Sequence, residues 1–311
     1  MSELVAQNNG HQDYWFGPTG PQWTPTDLLK QISVEAERLD TRIQTHALES
    51  HYENLESPRT RGEDVLPYLD RIGFLTERLS LAHAVWTTKK DIKLLQTRGV
   101  QVSHNPGSNL RLRSGIAPAA EMFTAGIPVG IGMDGTSLAG DEDMFAEIRL
   151  ALALNRPPHV SGPALTARHA LQMATEHGAG LMGREHELGC LRPGFYADAL
   201  VLDLERLTQP WISPEVCPVA LIVGRAKASD LRHVVVNGEL RLQDRRATGL
   251  NEKALMAQIC VELTQTPPTD DARQLQQDLR GYLMRWYASW DAVAGLSHPP
   301  VSRYGARPFL T

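Results

Sequence analysis

Strand-like and helix-like segments alternate along the first part of the chain, and three of the strand-like segments end in a residue able to bind a metal ion. These residues are His46, His83 and Asp134. Each strand-like run is followed by a turn and a helix-like segment, which indicates βα units around a parallel sheet. Polar groups at the carboxyl ends of such strands gather at one end of a β/α barrel. The alternation therefore predicts an α/β fold with a site for a hydrolytic metal ion.

The bounds of the expected elements follow from hydrophobic spacing and from glycine and N-cap signals. Thr24 is a favourable N-cap and Pro25 suits the first helical position. The expected strands end at residues 16, 46, 83, 104 and 134, and the expected helices cover residues 24–39, 64–72, 88–97, 117–125, 144–154 and 167–177. Gly99, Gly126 and Gly178 are placed to end three of these helices.

The alternation of strand-like and helix-like segments gives way to short strand-like runs after Gly189. Short β-branched runs at residues 198–203, 220–223 and 233–236 predict strands, and Asn237-Gly238 predicts a type I′ hairpin turn. Residues 190–246 are therefore expected to form a small β domain. Residues 247–311 are expected to form a helical extension, in which an amphipathic helix follows Pro267-Pro268 and has the apolar positions Leu275, Leu279, Leu283 and Trp290.

The composition favours a globular cytoplasmic protein. Of 311 residues, 42% are hydrophobic and 22% charged, which is enough apolar content for a sizeable core. The net charge is −5 without a long basic run, which argues against nucleic acid and anionic membranes as partners. Neither a signal peptide nor an apolar run of about 20 residues is apparent. Cys190, Cys217 and Cys260 are odd in number and far apart, which predicts reduced thiols in the core.

The residues at the strand ends suggest how the site would work. Glu49 follows His46 by three residues, so it can turn back towards the same pocket and move a proton between water and a leaving group. Asp134 needs a partner if it is buried, and a metal ion would supply one. His83 could orient the attacking water. The alternatives are a hydrogen-bonded strand-end histidine at 46, a core histidine at 83 and a capping aspartate at 134.

Two polar turns are candidates for substrate binding. Gln22 and Trp23 offer an amide and an indole that suit a planar ring, although ordinary packing is an alternative for Trp23. Ser108 and Asn109 lie in the turn after the strand that ends at His104, and either could contact substrate. His104 itself is expected to have a structural role.

Five motifs taken together resemble the amidohydrolase superfamily. They are His46-Ala47-Leu48-Glu49, Leu81-Ala82-His83, Ser103-His104-Asn105-Pro106-Gly107-Ser108-Asn109-Leu110, Gly115-Ile116-Ala117-Pro118 and Gly130-Ile131-Gly132-Met133-Asp134-Gly135. The most similar branch contains cytosine deaminases, adenosylhomocysteine deaminases and triazine hydrolases. Residues 191–200 and 234–238 resemble the C-terminal β domain of that family.

The resemblance implies a role for each strand-end residue. His46 would be the metal histidine of the fifth barrel strand and His83 the histidine of the sixth. Glu49 would be the proton-shuttling glutamate, and Asp134 the aspartate of the eighth strand that accepts a proton from the attacking water. The implied cofactor is one divalent metal ion, zinc in preference to iron. The implied substrate is a small heterocyclic amine, which would be deaminated by hydrolysis.

The chain departs from the family pattern at the first strand. The family begins its barrel with a His-x-His pair that supplies two metal ligands, and this sequence contains no such pair. Residues 1–189 resemble strands four to eight alone, whereas a complete barrel typically takes about 250 residues. The expectation is therefore an incomplete (β/α)8 barrel from the C-terminal part of a longer enzyme.

Three readings of this incomplete pattern remain open at the sequence level. The chain could be a deaminase that needs a complementing N-terminal chain or a homo-oligomer for activity. It could instead be a non-catalytic interaction protein that covers its open edge with a partner. A third alternative is a self-sufficient enzyme in which His46, His83 and Asp134 alone hold the metal ion, since three protein ligands can suffice for catalytic zinc.

Overall fold

A computed structural model describes residues 13–135, 140–156, 161–265, 267 and 269–293. The described residues fall into two compact units. The first contains residues 13–196 and 202–230, and the second contains residues 197–201 and 231–293. The proposed domain limits at residues 189/190 and 246/247 stay predictions.

The first unit is built on a parallel sheet of four strands: β1 (Ile43–Ala47), β2 (Leu79–His83), β3 (Gln101–His104) and β4 (Val129–Ile131). Their order in the sheet is the order in the chain. The register pairs Ala47 with His83 and Ala82 with Ser103, so the carboxyl ends of the strands lie side by side. Phe16 makes a further parallel bridge to Ile43. The described strands do not close into a barrel, and the α/β class with a parallel sheet is confirmed.

Helices connect and cover these strands. Those of the first unit are α1 (Thr26–Arg38), α2 (His51–Arg61), α3 (Val65–Arg71), α4 (Lys89–Arg98), α5 (Pro106–Arg111), α6 (Ala119–Thr124), α7 (Met144–Leu154), α8 (Ala167–Ala174), α9 (Glu176–Leu181), α10 (Leu204–Thr208) and α11 (Pro218–Arg225). The bounds of α7 agree with the predicted helix. The expected end of α4 at Gly99 is confirmed, because that residue adopts the left-handed conformation with φ of 68°.

Local interactions overturn three of the sequence expectations for helices. Pro25 is the N-cap of α1, because the Thr24 hydroxyl donates to the Gly20 carbonyl instead. The single helix expected over residues 167–177 is two helices. The chain leaves helical geometry at Thr175, where φ is −125° and ψ is −87°, and Gly178 lies inside α9 rather than at a helix end.

The apolar run at residues 220–223 was predicted as a strand but forms helix α11. A short apolar run does not by its pattern distinguish a strand from a buried helix. Pro218 occupies the first turn of this helix, and Leu221 and Val223 are buried. Helix α11 packs against α8, so tertiary packing decides the structure of this segment. Helices α2, α5 and α10 were not predicted from the sequence.

The core of the first unit lies between the sheet and the surrounding helices. Leu29, Ile32 and Ala36 of α1 are buried, as their helical spacing predicts. Leu28 belongs to the same predicted stripe but is 46% exposed. Leu79 and Leu81 are fully buried in the central strand β2. This packing fixes the sheet whose carboxyl ends hold the candidate site.

The second unit contains a second sheet of four strands and two helices. The strands are β5 (Ala199–Leu202), β6 (Leu231–Val236), β7 (Glu239–Gln243) and β8 (Arg246–Ala247), and the helices are α12 (Glu252–Gln265) and α13 (Asp270–Val293). Asn237 and Gly238 have φ values of 50° and 77°. Two successive positive φ values fit the predicted type I′ turn between β6 and β7. Leu275, Leu279 and Leu283 of α13 are 59%, 49% and 47% exposed.

The three cysteines are free thiols, as expected from their spacing. Their expected position in the core is wrong for Cys217 and Cys260, which are exposed. Within the described ranges, no helix has both the length and the apolar character needed to cross a membrane.

Candidate metal centre

His46 lies near the carboxyl end of β1, and one hydrogen bond fixes its ring. The Nδ1 atom is 2.6 Å from the carbonyl oxygen of Thr19. A carbonyl oxygen can only accept, so Nδ1 carries the proton and Nε2 keeps its lone pair. The rings of His46 and His83 are stacked with their centroids 5.3 Å apart. His46 is therefore oriented with a free Nε2 lone pair that can bind a metal ion.

His83 ends strand β2 and is almost completely buried, with 1% of its side chain exposed. Its Nδ1 atom lies 2.8 Å from Oδ1 of Asn109 and 3.5 Å from Nδ2 of Asn105. Because the much shorter contact is to an acceptor, the proton is assigned to Nδ1, and Nε2 is left with a lone pair. Nε2 lies 3.8 Å from a carboxylate oxygen of Glu49 and 3.9 Å from one of Asp134. His83 has φ of 75°. Positive φ at a residue other than glycine is strained and is common at functional sites.

Asp134 reaches the same place from the loop after β4. Its Oδ2 atom accepts a hydrogen bond of 2.5 Å from the Ser108 hydroxyl. The loop also passes close to the turn after β3. A Cβ atom on Gly132 would lie 2.4 Å from Oδ1 of Asn105 and 2.8 Å from Oγ of Ser103. Only glycine can occupy position 132 without displacing these side chains.

Glu49 lies in the loop after β1, and its carboxylate accepts a 3.0 Å hydrogen bond from the Ser114 hydroxyl. The loop is fixed from behind by Glu53, which accepts hydrogen bonds from the backbone amides of Leu48 at 2.6 Å and Ser50 at 2.9 Å. Burial raises the pKa of Glu53, and these backbone donors oppose that rise. The loop thus holds Glu49 beside His83 without using Glu49 as the structural anchor.

The ligand atoms of His46, His83 and Asp134 all lie within 4.8 Å of one another. Two atoms bound to one tetrahedral zinc ion lie about 3.4 Å apart, since zinc bonds to nitrogen and oxygen are about 2.0–2.2 Å long. The 3.9 Å between His83 and Asp134 is somewhat longer than that, and small side-chain movements would bring all three groups onto one ion. Two imidazole nitrogens and a carboxylate oxygen suit zinc, so these residues fit a divalent metal ion.

The residues expected to bind substrate occupy two different positions. Ser108 and Asn109 are buried in α5 and contact Asp134 and His83, respectively. Gln22 is half-buried, and its Oε1 atom has no hydrogen-bond partner among the described residues. Trp23 is 68% exposed. Their substrate-binding roles stay predictions.

Three residues around the site were not singled out from the sequence. Glu53 could have been found, because Ser50-x-x-Glu53 is a capping-box signature. Ser114 and Glu147 have no comparable local signal, since their partners are distant in sequence.

His104 is buried, and neither of its ring nitrogens has a partner among the described residues. Burial, and secondarily the nearby His83, lowers the pKa of His104 to about 4.

Residues 2–241 match the sequence profile of the amidohydrolase family. This chain belongs to the amidohydrolase family. Among its relatives, a 5'-deoxyadenosine deaminase from Methanopyrus kandleri is 35% identical over 244 residues, which are 78% of this chain and 56% of the relative. A 5-methylthioadenosine/S-adenosylhomocysteine deaminase from Dictyoglomus thermophilum is 32% identical over 241 residues, again 78% of this chain and 56% of the relative.

Two solved structures have the same fold. An adenosine deaminase from Xanthomonas campestris with bound zinc has a TM-score of 0.75 and 29% identity, and the match covers 90% of this chain and 60% of that one. A zinc complex of an atrazine chlorohydrolase from Arthrobacter aurescens has a TM-score of 0.74 and 27% identity, with 83% and 58% coverage. The chain thus spans a little more than half the length of these relatives and solved structures.

Proposed function

We propose that this amidohydrolase chain supplies part of a zinc-dependent deaminase site that acts on an amino-substituted heteroaromatic ring. His46, His83 and Asp134 would hold the metal ion, and Glu49 would carry the proton. The observation that supports this proposal most is the convergence of these four side chains from three separate loops and strand ends. A bound divalent ion would supply Lewis-acid activation of water and of the substrate.

The contacts of each side chain fit its proposed task. Asp134 can accept a proton from the attacking water, because Ser108 engages its Oδ2 atom and so fixes the carboxylate in place. Glu49 keeps one carboxylate oxygen on Ser114 and presents the other beside His83. From there it can protonate a ring nitrogen and later the departing amino group. Water adds at the ring carbon, the carbon–nitrogen bond breaks, and ammonia leaves as the carbonyl form of the ring is produced.

The substrate class proposed first is an adenine nucleoside modified at the 5' position. The basis is the names of the two relatives, a 5'-deoxyadenosine deaminase and a 5-methylthioadenosine/S-adenosylhomocysteine deaminase. Gln22 and Trp23 are proposed to contact the ring, since the side-chain carbonyl oxygen of Gln22 is buried and has no hydrogen-bond partner in the described part of the chain. A cytoplasmic location is proposed on the basis of three free cysteines, which suit a reducing compartment.

A complementing partner is proposed because the sequence contains no His-x-His pair. A complementing N-terminal chain would supply this pair. A homo-oligomer, the other proposed partner, would instead cover the open sheet edge, because another copy of this chain carries no His-x-His pair either. The competing candidate is a non-catalytic interaction protein, which the open parallel sheet of the described residues favours, because unpaired strand edges offer a surface for another chain.

Ammonia release from a panel of substrates would test the proposal. The purified chain is incubated with zinc and with 5'-deoxyadenosine, methylthioadenosine, adenosine, cytosine, a pterin or an aminotriazine. Each reaction is repeated with a separately expressed N-terminal amidohydrolase segment that contains His-x-His. Turnover in either arm that disappears on replacing Glu49 by Gln supports the function. Zinc-loaded complex without turnover on any substrate would favour the interaction protein.

A further inference from the structure

Helix α5 holds two of the proposed metal ligands at once. Ser108 donates to Asp134, and the neighbouring Asn109 accepts from Nδ1 of His83. Both side chains are buried, with 0% and 1% exposed. A shift of this short helix would therefore change the orientation of an imidazole and a carboxylate together. Outer partners of this kind typically affect metal affinity about 10–100-fold.

The start of α5 is held by a carboxylate from another helix. Glu147 of α7 accepts a 2.9 Å hydrogen bond from the backbone amide of Gly107 through Oε2. Glu147 is 3% exposed. A Cβ atom at position 107 would lie only 2.1 Å from Oε1 of Glu147. The carboxylate thus fills the space that a side chain at 107 would need, so Glu147 can occupy this position only because residue 107 is glycine.

Helix α7 is in turn anchored at two other points. The Asp143 carboxylate at its start accepts a 2.9 Å hydrogen bond from the backbone amide of Ala228. Arg149, two residues after Glu147, donates to the carbonyl oxygen of Ala226. Glu147 therefore projects from a helix that is fixed on both sides of it, and a fixed helix is a suitable support for a neighbouring short one.

We propose that Glu147 is a positioning residue for the metal centre, acting through Gly107 and α5 on His83 and Asp134. The inference rests on the proposed function only in naming those two residues as ligands. Glu147 touches neither of them. Its task is to keep Asn109 and Ser108 at hydrogen-bond distance, so that Nε2 of His83 keeps its lone pair for a metal ion.

The tautomer of His83 provides a readout that needs neither metal nor substrate. Long-range proton–nitrogen NMR spectra of the histidine side chains distinguish an Nδ1-protonated from an Nε2-protonated ring. They are recorded on the full chain under mildly alkaline conditions, above the ordinary pKa of a free imidazole. The His83 signal is assigned from its loss in His83→Asn.

Three variants and one control test the hydrogen bond between the Gly107 amide and the Glu147 carboxylate. Glu147→Leu removes the acceptor at similar size, Glu147→Gln keeps a carbonyl acceptor for the Gly107 amide, and Gly107→Ala displaces the carboxylate. Asp91→Asn is the matched control. Asp91 is a half-buried carboxylate that also accepts a hydrogen bond from a backbone amide at the start of a helix, from Thr88 at 2.8 Å, but helix α4 carries no proposed site residue.

The expected result is an Nδ1-protonated His83 in the wild type, in Glu147→Gln and in Asp91→Asn. Glu147→Leu and Gly107→Ala should show a mixture of tautomers, and their zinc affinity in a chelator competition should fall about tenfold or more. If Glu147→Leu does not melt cooperatively, Gly107→Ala decides the question. A wild-type tautomer and wild-type zinc affinity in a folded Glu147→Leu or Gly107→Ala would overturn the proposal. Failure of the deaminase proposal would appear separately, as absent turnover with an unchanged wild-type tautomer.

Discussion

His83 and Asn109 are joined by a hydrogen bond of 2.8 Å although 26 residues separate them in the sequence. The bond runs from the ring nitrogen that faces away from the proposed metal position to a side-chain carbonyl oxygen. It therefore selects the protonated nitrogen of the histidine and directs the other nitrogen towards Glu49 and Asp134. The same pairing of a ligand with an outer acceptor occurs at His46, where the acceptor is the carbonyl oxygen of Thr19.

Replacing Asn109 by Leu should lower zinc affinity about 10–100-fold, because His83 loses the acceptor that fixes its tautomer. Competition with a chromogenic chelator would measure the change. Asn155→Leu is the matched control, since Asn155 is also a buried asparagine but bonds to Ala120 and Ala151. The control should lose stability and keep its zinc affinity. Equal affinity in both variants would exclude this role for Asn109.

Replacing Glu49 by Gln should leave zinc content unchanged and reduce turnover of the assembled enzyme about 10²–10⁴-fold. The amide has the size of the carboxylate and can still accept from Ser114, but it cannot carry a proton. Single-turnover kinetics together with metal analysis would check both parts. Glu35→Gln, at an exposed position paired with Arg38, should behave as the wild type. A Glu49→Gln enzyme that works at the parent rate would remove Glu49 from the mechanism.

Replacing His46 by Ala should abolish zinc binding by the isolated chain, since it removes one of the three converging groups that are proposed as ligands. His104→Leu should retain most of the binding, because His104 is not among these ligands. Equilibrium dialysis followed by elemental analysis would compare the two variants. Loss of zinc from His104→Leu, with zinc retained in His46→Ala, would show that the ligand set is assigned wrongly.

The stability of the protein should depend on the protonation of His104. Burial lowers the pKa of this residue from 6.5 to about 4, so below pH 6.5 the unfolded chain binds a proton that the folded chain does not. The stabilisation associated with the neutral ring is complete above pH 6.5 and is lost as the pH falls to about 4. The whole change corresponds to about 3 kcal/mol.

Urea unfolding at several pH values would test this dependence in the wild type and in His104→Leu. The difference between the two free energies of unfolding isolates the histidine. This comparison is needed because burial raises the pKa values of Glu53 and Glu147, and their contribution to stability falls as the pH rises. A difference that stays constant between pH 4 and 6.5 would contradict the lowered pKa of His104.

The apolar face of α13 should promote self-association, since its leucines at 275, 279 and 283 are about half exposed. Leu279→Lys should reduce the average mass measured by multi-angle light scattering at a given concentration. Gln274→Lys is the control, because it adds the same charge to the same helix at a polar position. An identical mass distribution for the wild type and Leu279→Lys would exclude this face as the contact.

The sequence by itself determined the order of the elements and the identity of the groups at the strand ends. Alternation of β-like and helix-like segments predicts parallel strands, and parallel strands bring their carboxyl ends together. That is sufficient to select His46, Glu49, His83 and Asp134 as one cluster. Local signals with a direct physical cause were equally informative, as at Gly99 and at Asn237-Gly238.

Only the tertiary structure decided how those groups are held. The apolar run at residues 220–223 fits a strand or a helix equally well, and burial against α8 selects the helix. Ser108 and Asn109 were predicted from a polar turn to contact substrate, which stays a prediction, whereas their burial and their bonds to Asp134 and His83 come from the fold. Glu147 has no local signal because its partner, Gly107, lies 40 residues away. Hydrogen bonds between distant segments depend on packing, which a local pattern of residues does not encode.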